Sequence, residues 1–435
     1  VQLLALLCVM AWSQVGWSQV AWAHAPLARS VLVADNGALY VHAAWFGFVL
    51  RTDASERFAY ACDAAFGVTP NFTGFAWGLR ADGSLIVGNA DHSPRIVSPD
   101  ACGFRVPSTW PIDVGITALE SDGTPDGFLA VTTEEAPALL RTSDGGETWE
   151  SVMQLDAGAS VTGMQVMPQN GAAPRVYLTR PSGATDTLLM FSDNGGATFT
   201  TTVHGADLTL FDVRAGTTDE LWLLTPRQET HEIAIVRGAA SASVFEEVHR
   251  VRFFGGLALS TSDDSVWIAD EAASLVRSDD GGATFQPIQT ELAVACLVYR
   301  NDTLWACASG TQEQPALLRS ADRGDTFESV MSFGSVDQLL QCEGANAIDA
   351  ACNREWFDWQ RDVLPQPDAG IGTGVQTDAG SPREAPRRSG GCSVQRVTPP
   401  GSGGLGAWLS LLLWLSWRAR RVQRERTRWS RRALR

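Results

Sequence analysis

Four segments of this chain align without gaps, and few folds accommodate such a repeat. They run from Thr142 to Trp149, Ser192 to Phe199, Ser278 to Phe285 and Ser320 to Phe327, and share the pattern S/T-x-D/N-x-G-x-T-W/F. Each position has a physical reason. The carboxylate or amide (Asp144, Asn194, Asp280, Asp322) can accept backbone N–H groups inside a tight hairpin turn. Glycine (Gly146, Gly196, Gly282, Gly324) permits a positive φ that a side chain penalises. Threonine (Thr148, Thr198, Thr284, Thr326) favours an outgoing strand, and the aromatic (Trp149, Phe199, Phe285, Phe327) suits a layer between packed sheets.

Weaker copies fill the gaps. Arg51 to Phe58 keeps Asp53, Ser98 to Phe104 keeps Asp100, and Gly238 to Phe245 keeps only the aromatic. The seven aromatics then stand 46, 45, 50, 46, 40 and 42 residues apart, the period of a four-stranded propeller blade. Apolar runs occur in a fixed order before each turn. Gly163 to Met167 reads as a first strand, Leu39-Tyr40-Val41 and Val266-Trp267-Ile268 as second strands, and Leu188 to Phe191 as a third. The expected fold is all-β, a seven-bladed propeller over residues 26–360. The stretch from Ser30 to Asp35 either opens the first blade or completes the last, and residues 328–360 leave room for an eighth, partial blade.

The turn pattern resembles the Asp-box, or BNR, repeat. That family includes sialidases, xyloglucan-cleaving hydrolases, sortilin-like receptors and photosystem assembly factors, and the resemblance implies a structural role for the turn aspartates, on the outer rim. A sialidase-type hydrolase needs three arginines for a carboxylate, a Tyr–Glu nucleophile pair and an Asp acid/base. Phe104-Arg105-Val106-Pro107 resembles the F-R-I-P motif of those enzymes but occupies a turn position. The four tyrosines (Tyr40, Tyr60, Tyr177, Tyr299) fall on or beside strands, without an evident glutamate partner. Adjacent acids such as Glu134-Glu135 and Glu246-Glu247 point to opposite faces of a strand.

A ligand site is expected on the loops between blades and between second and third strands. Those loops offer Arg95, Arg180, Arg227, His249 and Arg252 as binding candidates, with Asp91, His92, Trp110, Asp113, His204, Asp207 and His231 around them. Neither a cofactor fingerprint nor a metal-ligand spacing is present. The sequence therefore favours a non-enzymatic module for a glycan, peptide or protein. A glycoside hydrolase is the first alternative, and a photosystem-assembly-factor-like propeller the second.

Charge and the two ends bear on location. The chain carries a net charge of −16, but residues 1–360 hold 19 arginines against 44 acids, while residues 361–435 hold 14 against 5. The acidic body repels phosphate backbones, which argues against nucleic acid as a partner. Residues 1–25 read as a signal peptide, with Ala21-Trp22-Ala23 suited to signal peptidase. Residues 361–400 form a Pro/Gly/Ala/Asp-rich linker containing Cys392. Residues 401–435 contain a 13-residue apolar run, Leu405 to Trp417, and then nine arginines. The order Gly-Cys, short apolar helix, Arg cluster resembles the MYXO-CTERM family of sorting tails. By that resemblance, Cys392 serves processing by a sorting protease and surface attachment, with contact to the membrane through the tail.

The chain has eight cysteines, one of them (Cys8) in the leader. The six of the body (Cys62, Cys102, Cys296, Cys307, Cys342, Cys352) suggest disulfides in an exported monomer. Fifteen pairings are open; the simplest joins Cys296 to Cys307, Cys342 to Cys352 and Cys62 to Cys102.

Overall fold

The computed structural model describes residues 26–363, except 45, 53–56, 69–75, 91, 112–113, 134–136, 157–159, 183–185, 217, 228, 271–273, 289–292, 309–313 and 343–346. Cys8, Asp53, Asp91, Asp113, Glu134, Glu135, Cys392 and the whole leader and tail lie outside the described residues. Among those described, no helix is long and apolar enough to cross a membrane.

Among the described residues, twenty-eight strands form seven four-stranded antiparallel sheets. Each sheet takes its strands consecutively from the chain, so the blades span 27–61, 76–105, 116–154, 163–204, 209–251, 254–288 and 294–332. The first strand of each blade faces the axis, and from blade two round to blade one, by way of blade seven, neighbouring first strands touch. Second strands are buried on both faces, which explains why Phe128–Thr132 and Val266–Asp270 read as unbroken apolar runs. Outer strands such as Glu150–Gln154 are half-exposed and polar. Near the axis the backbones crowd together: a Cβ on Gly163 would lie 2.2 Å from the carbonyl oxygen of Leu210.

The repeat turns hold adjacent blades together. In the third blade Asp144 Oδ1 accepts the Thr142 hydroxyl (2.7 Å) and the Thr148 N–H (2.9 Å), and Oδ2 accepts the Thr148 hydroxyl (2.5 Å). The Gly146 N–H donates to Thr142 Oγ1 (2.9 Å), and the Trp149 indole N–H to the Gly146 carbonyl (2.9 Å). Asp280 and Asp322 repeat the pattern, and their carboxyls are held down to about 2 by their turn hydroxyls and N–H groups. At Asn194 one bond reverses, because its amide must donate to the Thr198 hydroxyl (2.8 Å). The weaker turn at Asp100 still accepts the Ser98 hydroxyl (2.5 Å) and the Cys102 N–H (3.0 Å).

The turn of one blade presses on the blade before it. A Cβ on Gly196, where φ is +90°, would meet Leu139 of the third blade at 2.4 Å, and one on Gly282 would meet Trp222 of the fifth at 2.5 Å. Apolar clusters fill the spaces between blades, each drawing on two neighbours. The largest cluster differs, since it joins the first blade to its neighbours on both sides and to residues 333–363.

That return segment closes the ring. Strand Leu27–Val33 opens the first blade, which is complete at Ala61, and no eighth blade forms among the described residues. Leu339 instead pairs in parallel with Tyr60, through Tyr60 N–H to Gln338 O (2.9 Å) and Leu340 N–H to Tyr60 O (2.9 Å). Helix α1 (Ala347–Asp362) follows, in a stretch that the sequence reading treated as part of a disulfide loop. Ile348, Cys352, Trp356, Trp359 and Val363 recur at helical spacing. Trp359 is fully buried against Tyr60 (4.8 Å), Phe333 (5.6 Å) and Phe46 (5.7 Å).

Two disulfides fasten this return, and here the expected pairing is corrected. Cys296–Cys307 forms between consecutive strands as expected, but Cys62 joins Cys352 and Cys102 joins Cys342. The reason is topological. Cys342 and Cys352, 10 residues apart, reach back to different blades, so neither is free to bond its neighbour.

Two outcomes follow in urea denaturation. Removing Cys62–Cys352 and Cys102–Cys342 together by Cys→Ser changes releases separations of 290 and 240 residues and should cost more than about 5 kcal/mol, against about 2–3 kcal/mol for Cys296–Cys307, with its separation of 11. Gly196→Ala should cost about 1–3 kcal/mol, whereas Gly205→Ala, whose Cβ meets nothing within 4 Å, should stay within about 0.5 kcal/mol.

Candidate functional site

The residues singled out as loop-face candidates are engaged by neighbouring groups, Arg95 and Arg227 within their own blades and Arg180, His249 and Arg252 across to an adjacent one. Arg95, on the third strand of the second blade, donates to the carbonyls of Ser93 (2.9 Å) and Pro94 (3.2 Å), with its guanidinium 5.8 Å from the Phe104 ring. Arg180 is buried and pairs with Asp156 (3.3 Å). Arg227 pairs with Glu247 (2.7 Å). The ring of His249 lies 5.1 Å from Phe285, and burial lowers its pKa. His204 holds the equivalent position against Phe245 at 5.1 Å, so both imidazoles back the turn aromatic of the next blade. Arg252 is exposed, and its N–H caps Asp270 (3.1 Å). These five candidates are distributed over blades two, four and five and the connection after blade five. Arg105 pairs with Glu147 on the rim, away from the axis.

None of the tyrosines forms a nucleophile pair with glutamate. Tyr40 donates to Gly83 O (3.2 Å), Tyr177 to Asp219 (2.6 Å) and Tyr299 to Asp302 (3.3 Å), and Tyr60 is buried against Trp356 and Trp359.

The axis holds an acidic pair that the sequence reading missed. First strands bring Glu120 of blade three and Asp212 of blade five toward one another, with Gln165 of blade four between them. The Gln165 amide donates to Phe211 O (3.0 Å) and reaches Glu120 Oε1 at 3.5 Å. Loss of water pushes the Glu120 carboxyl up to about 8, assisted by the negative charge of Asp212. Desolvation also raises Asp212, to about 6, against the Val213 N–H bond that its carboxylate accepts. Glu120 borders an axial cavity of about 410 Å³ that also includes Trp77, Thr117 and Thr162. Asp212 borders a second cavity, of about 510 Å³, with Arg214, Asp263 and Tyr299.

A second site arises where the repeat fails. The fifth blade's turn, Gly238 to Phe245, has no aspartate, and its Ala242 N–H closes only a short turn on Ala239 O (2.9 Å). The wedge that the four full turns set against the preceding blade is missing, and a cleft of about 460 Å³ opens between blades four and five. Its floor is one face of blade four: Arg175, Tyr177, Leu189, Phe191, Thr200 and Thr202, all at alternate strand positions. Tyr177 stacks on Phe191 at 5.1 Å and is fixed by Asp219, which also takes Arg175 (2.8 Å). The far wall is Thr218 and Ala239 to Ser241 of blade five. The only sequence signal for this cleft was the degenerate repeat itself.

No family profile and no curated protein matches the sequence. Solved propellers similar to it include the GH74 enzyme of Niastella koreensis, at 14% identity and TM-score 0.45 over 69% of this chain. Sqt1 of Saccharomyces cerevisiae shares 10% identity and TM-score 0.47 over 70% of this chain and 85% of its own. YCF48 of Cyanidioschyzon merolae shares 10% identity and TM-score 0.43 over 59% and 85%. The chain spans 44% of the GH74 enzyme. At such identities the likeness concerns the fold alone.

The acidic pair makes a signed prediction. Between about pH 4.5, where an unfolded glutamate titrates, and pH 8, the folded state alone holds the Glu120 proton, so stability falls as pH rises through that window. Glu120→Gln should flatten the decline in melting temperature from pH 5 to 9 and raise it at pH 9. An unchanged slope would assign the decline to other groups.

Proposed function

We propose that this chain is an exported propeller, held at the cell surface by its C-terminal tail, that works by binding a glycan, peptide or protein outside the cell. The cleft between blades four and five carries the reading. Its volume suits a small ligand or a few residues of a larger one, and it combines an aromatic floor with hydroxyl, carboxylate and guanidinium groups. The three disulfides support an oxidising compartment. The leader at 1–25 and the tail with Cys392 supply export and attachment in this reading.

One observation favours glycoside hydrolysis as a second reading. Two carboxyls with pKa values set apart to about 8 and 6 are the pattern of a general acid and a base, and they stand near one another with a cavity beside each. Purified residues 26–369 should bind components of an outer-surface extract and leave sialosides and β-glucans intact. Cleavage of any of these that disappears in both Glu120→Gln and Asp212→Asn would replace the binding reading with the hydrolase. Cleavage that survives both would point to Arg105, Arg180, Arg227 and Arg252.

A further inference from the structure

The outer edges of the seven blades are not alike. An exposed strand edge offers unpaired backbone groups to any extended chain, and proteins normally blunt it with charge, proline or cover. Blade one is covered by the segment around Leu339. Blades two, three, five and seven carry Arg105, Glu150, Glu246 and Glu328 on their outer strands, and blade six carries Pro287. The outer strand of blade four, Thr200–His204, reads Thr-Thr-Thr-Val-His. It has no acid, arginine or proline, and its histidine is buried and kept neutral.

We propose that this edge takes up an extended, basic segment of a partner protein as a fifth strand of blade four. The inference rests on the binding reading and names its site and ligand. Strand addition already occurs within this molecule: residues 338–340 extend blade one beyond Tyr60 through two 2.9 Å backbone hydrogen bonds, and bury Leu339. At blade four the sheet face continues outward from Phe191 to Thr200 and from Leu189 to Thr202. An added strand, about 4.8 Å further out, sets alternate side chains on that same face, over the cleft and against the turn of blade five. Val203 and Val244 border the path and are 62% and 80% exposed.

Charge selects the segment. Arg175 is already neutralised by Asp219, and Glu247 by Arg227 and Arg250. Asp193, exposed at the cleft, has no ion pair among the described residues and is left to meet a cation. The partner segment therefore alternates β-branched residues, which favour the strand, with arginine or lysine.

The full chain should be titrated with a fluorescent decapeptide of alternating Val and Arg, with its Val–Glu counterpart, and with neutral oligosaccharides. The Val–Arg peptide should bind best and slow amide exchange across residues 200–204. Val203→Lys, at an exposed position, should weaken it at least tenfold. Val106→Lys, 54% exposed just after blade two, should leave it unchanged, and Asp193→Asn should weaken it several-fold. Failure of the Val–Arg peptide to bind, binding without protection at 200–204, or equal loss in both lysine variants overturns the proposal. Binding of oligosaccharides alone also overturns it while leaving the surface binding module intact. Glycoside cleavage with no binding of any probe removes both.

Discussion

A ring of seven sheets, each built from four consecutive strands, has a seam. Many rings hide theirs by completing one sheet with strands from both ends of the chain; here the first blade is complete before the second begins. The seam is closed from outside. The segment after the seventh blade crosses to the first, adds Leu339 beside Tyr60, packs Trp359 into the core and forms two disulfides to positions 290 and 240 residues earlier. Elsewhere each blade meets the one before it in the chain; at the seam the return reinforces the direct packing of strand Leu27–Val33 on blade seven, where Arg300 pairs with Asp35 (2.9 Å). Covalent closure of long loops removes more chain entropy from the unfolded state than any single apolar contact supplies.

Around the rest of the ring the repeat turn does two tasks at once. Its carboxylate gathers hydroxyls and N–H groups into a rigid hairpin, and that hairpin wedges its glycines against the preceding blade. A carboxylate so saturated has little left for a ligand. The same logic explains the cleft. Where blade five lacks the wedge, a cleft opens over the face of blade four, floored by the half-buried Phe191 stacked on the buried Tyr177.

The axis is a different kind of place. Seven inner strands converge there, and acids from blades three and five, both half-buried beside cavities, come near one another across Gln165. A carboxylate so placed keeps its proton far above its usual range, and the fold bears that cost at neutral pH. Such a pair is a source of acid–base chemistry if a substrate reaches it, and a source of pH-dependent stability in any case.

Much of this was legible in the residues. Turn chemistry and strand alternation act within windows of about ten residues, so the glycines, the aromatics and their spacing set the blades, their order and their number. The helix at Ala347–Asp362 was legible too, in the spacing of Ile348, Cys352, Trp356 and Trp359, though beside seven repeats that signal is short. What only the tertiary structure decided are the meetings between residues distant in the chain: Cys62 with Cys352, Cys102 with Cys342, and Glu120 with Asp212. Those depend on how many blades complete the circle and at what angle each faces the axis. No local pattern records that geometry, because a residue's partner across the ring leaves no trace in the spacing of its neighbours.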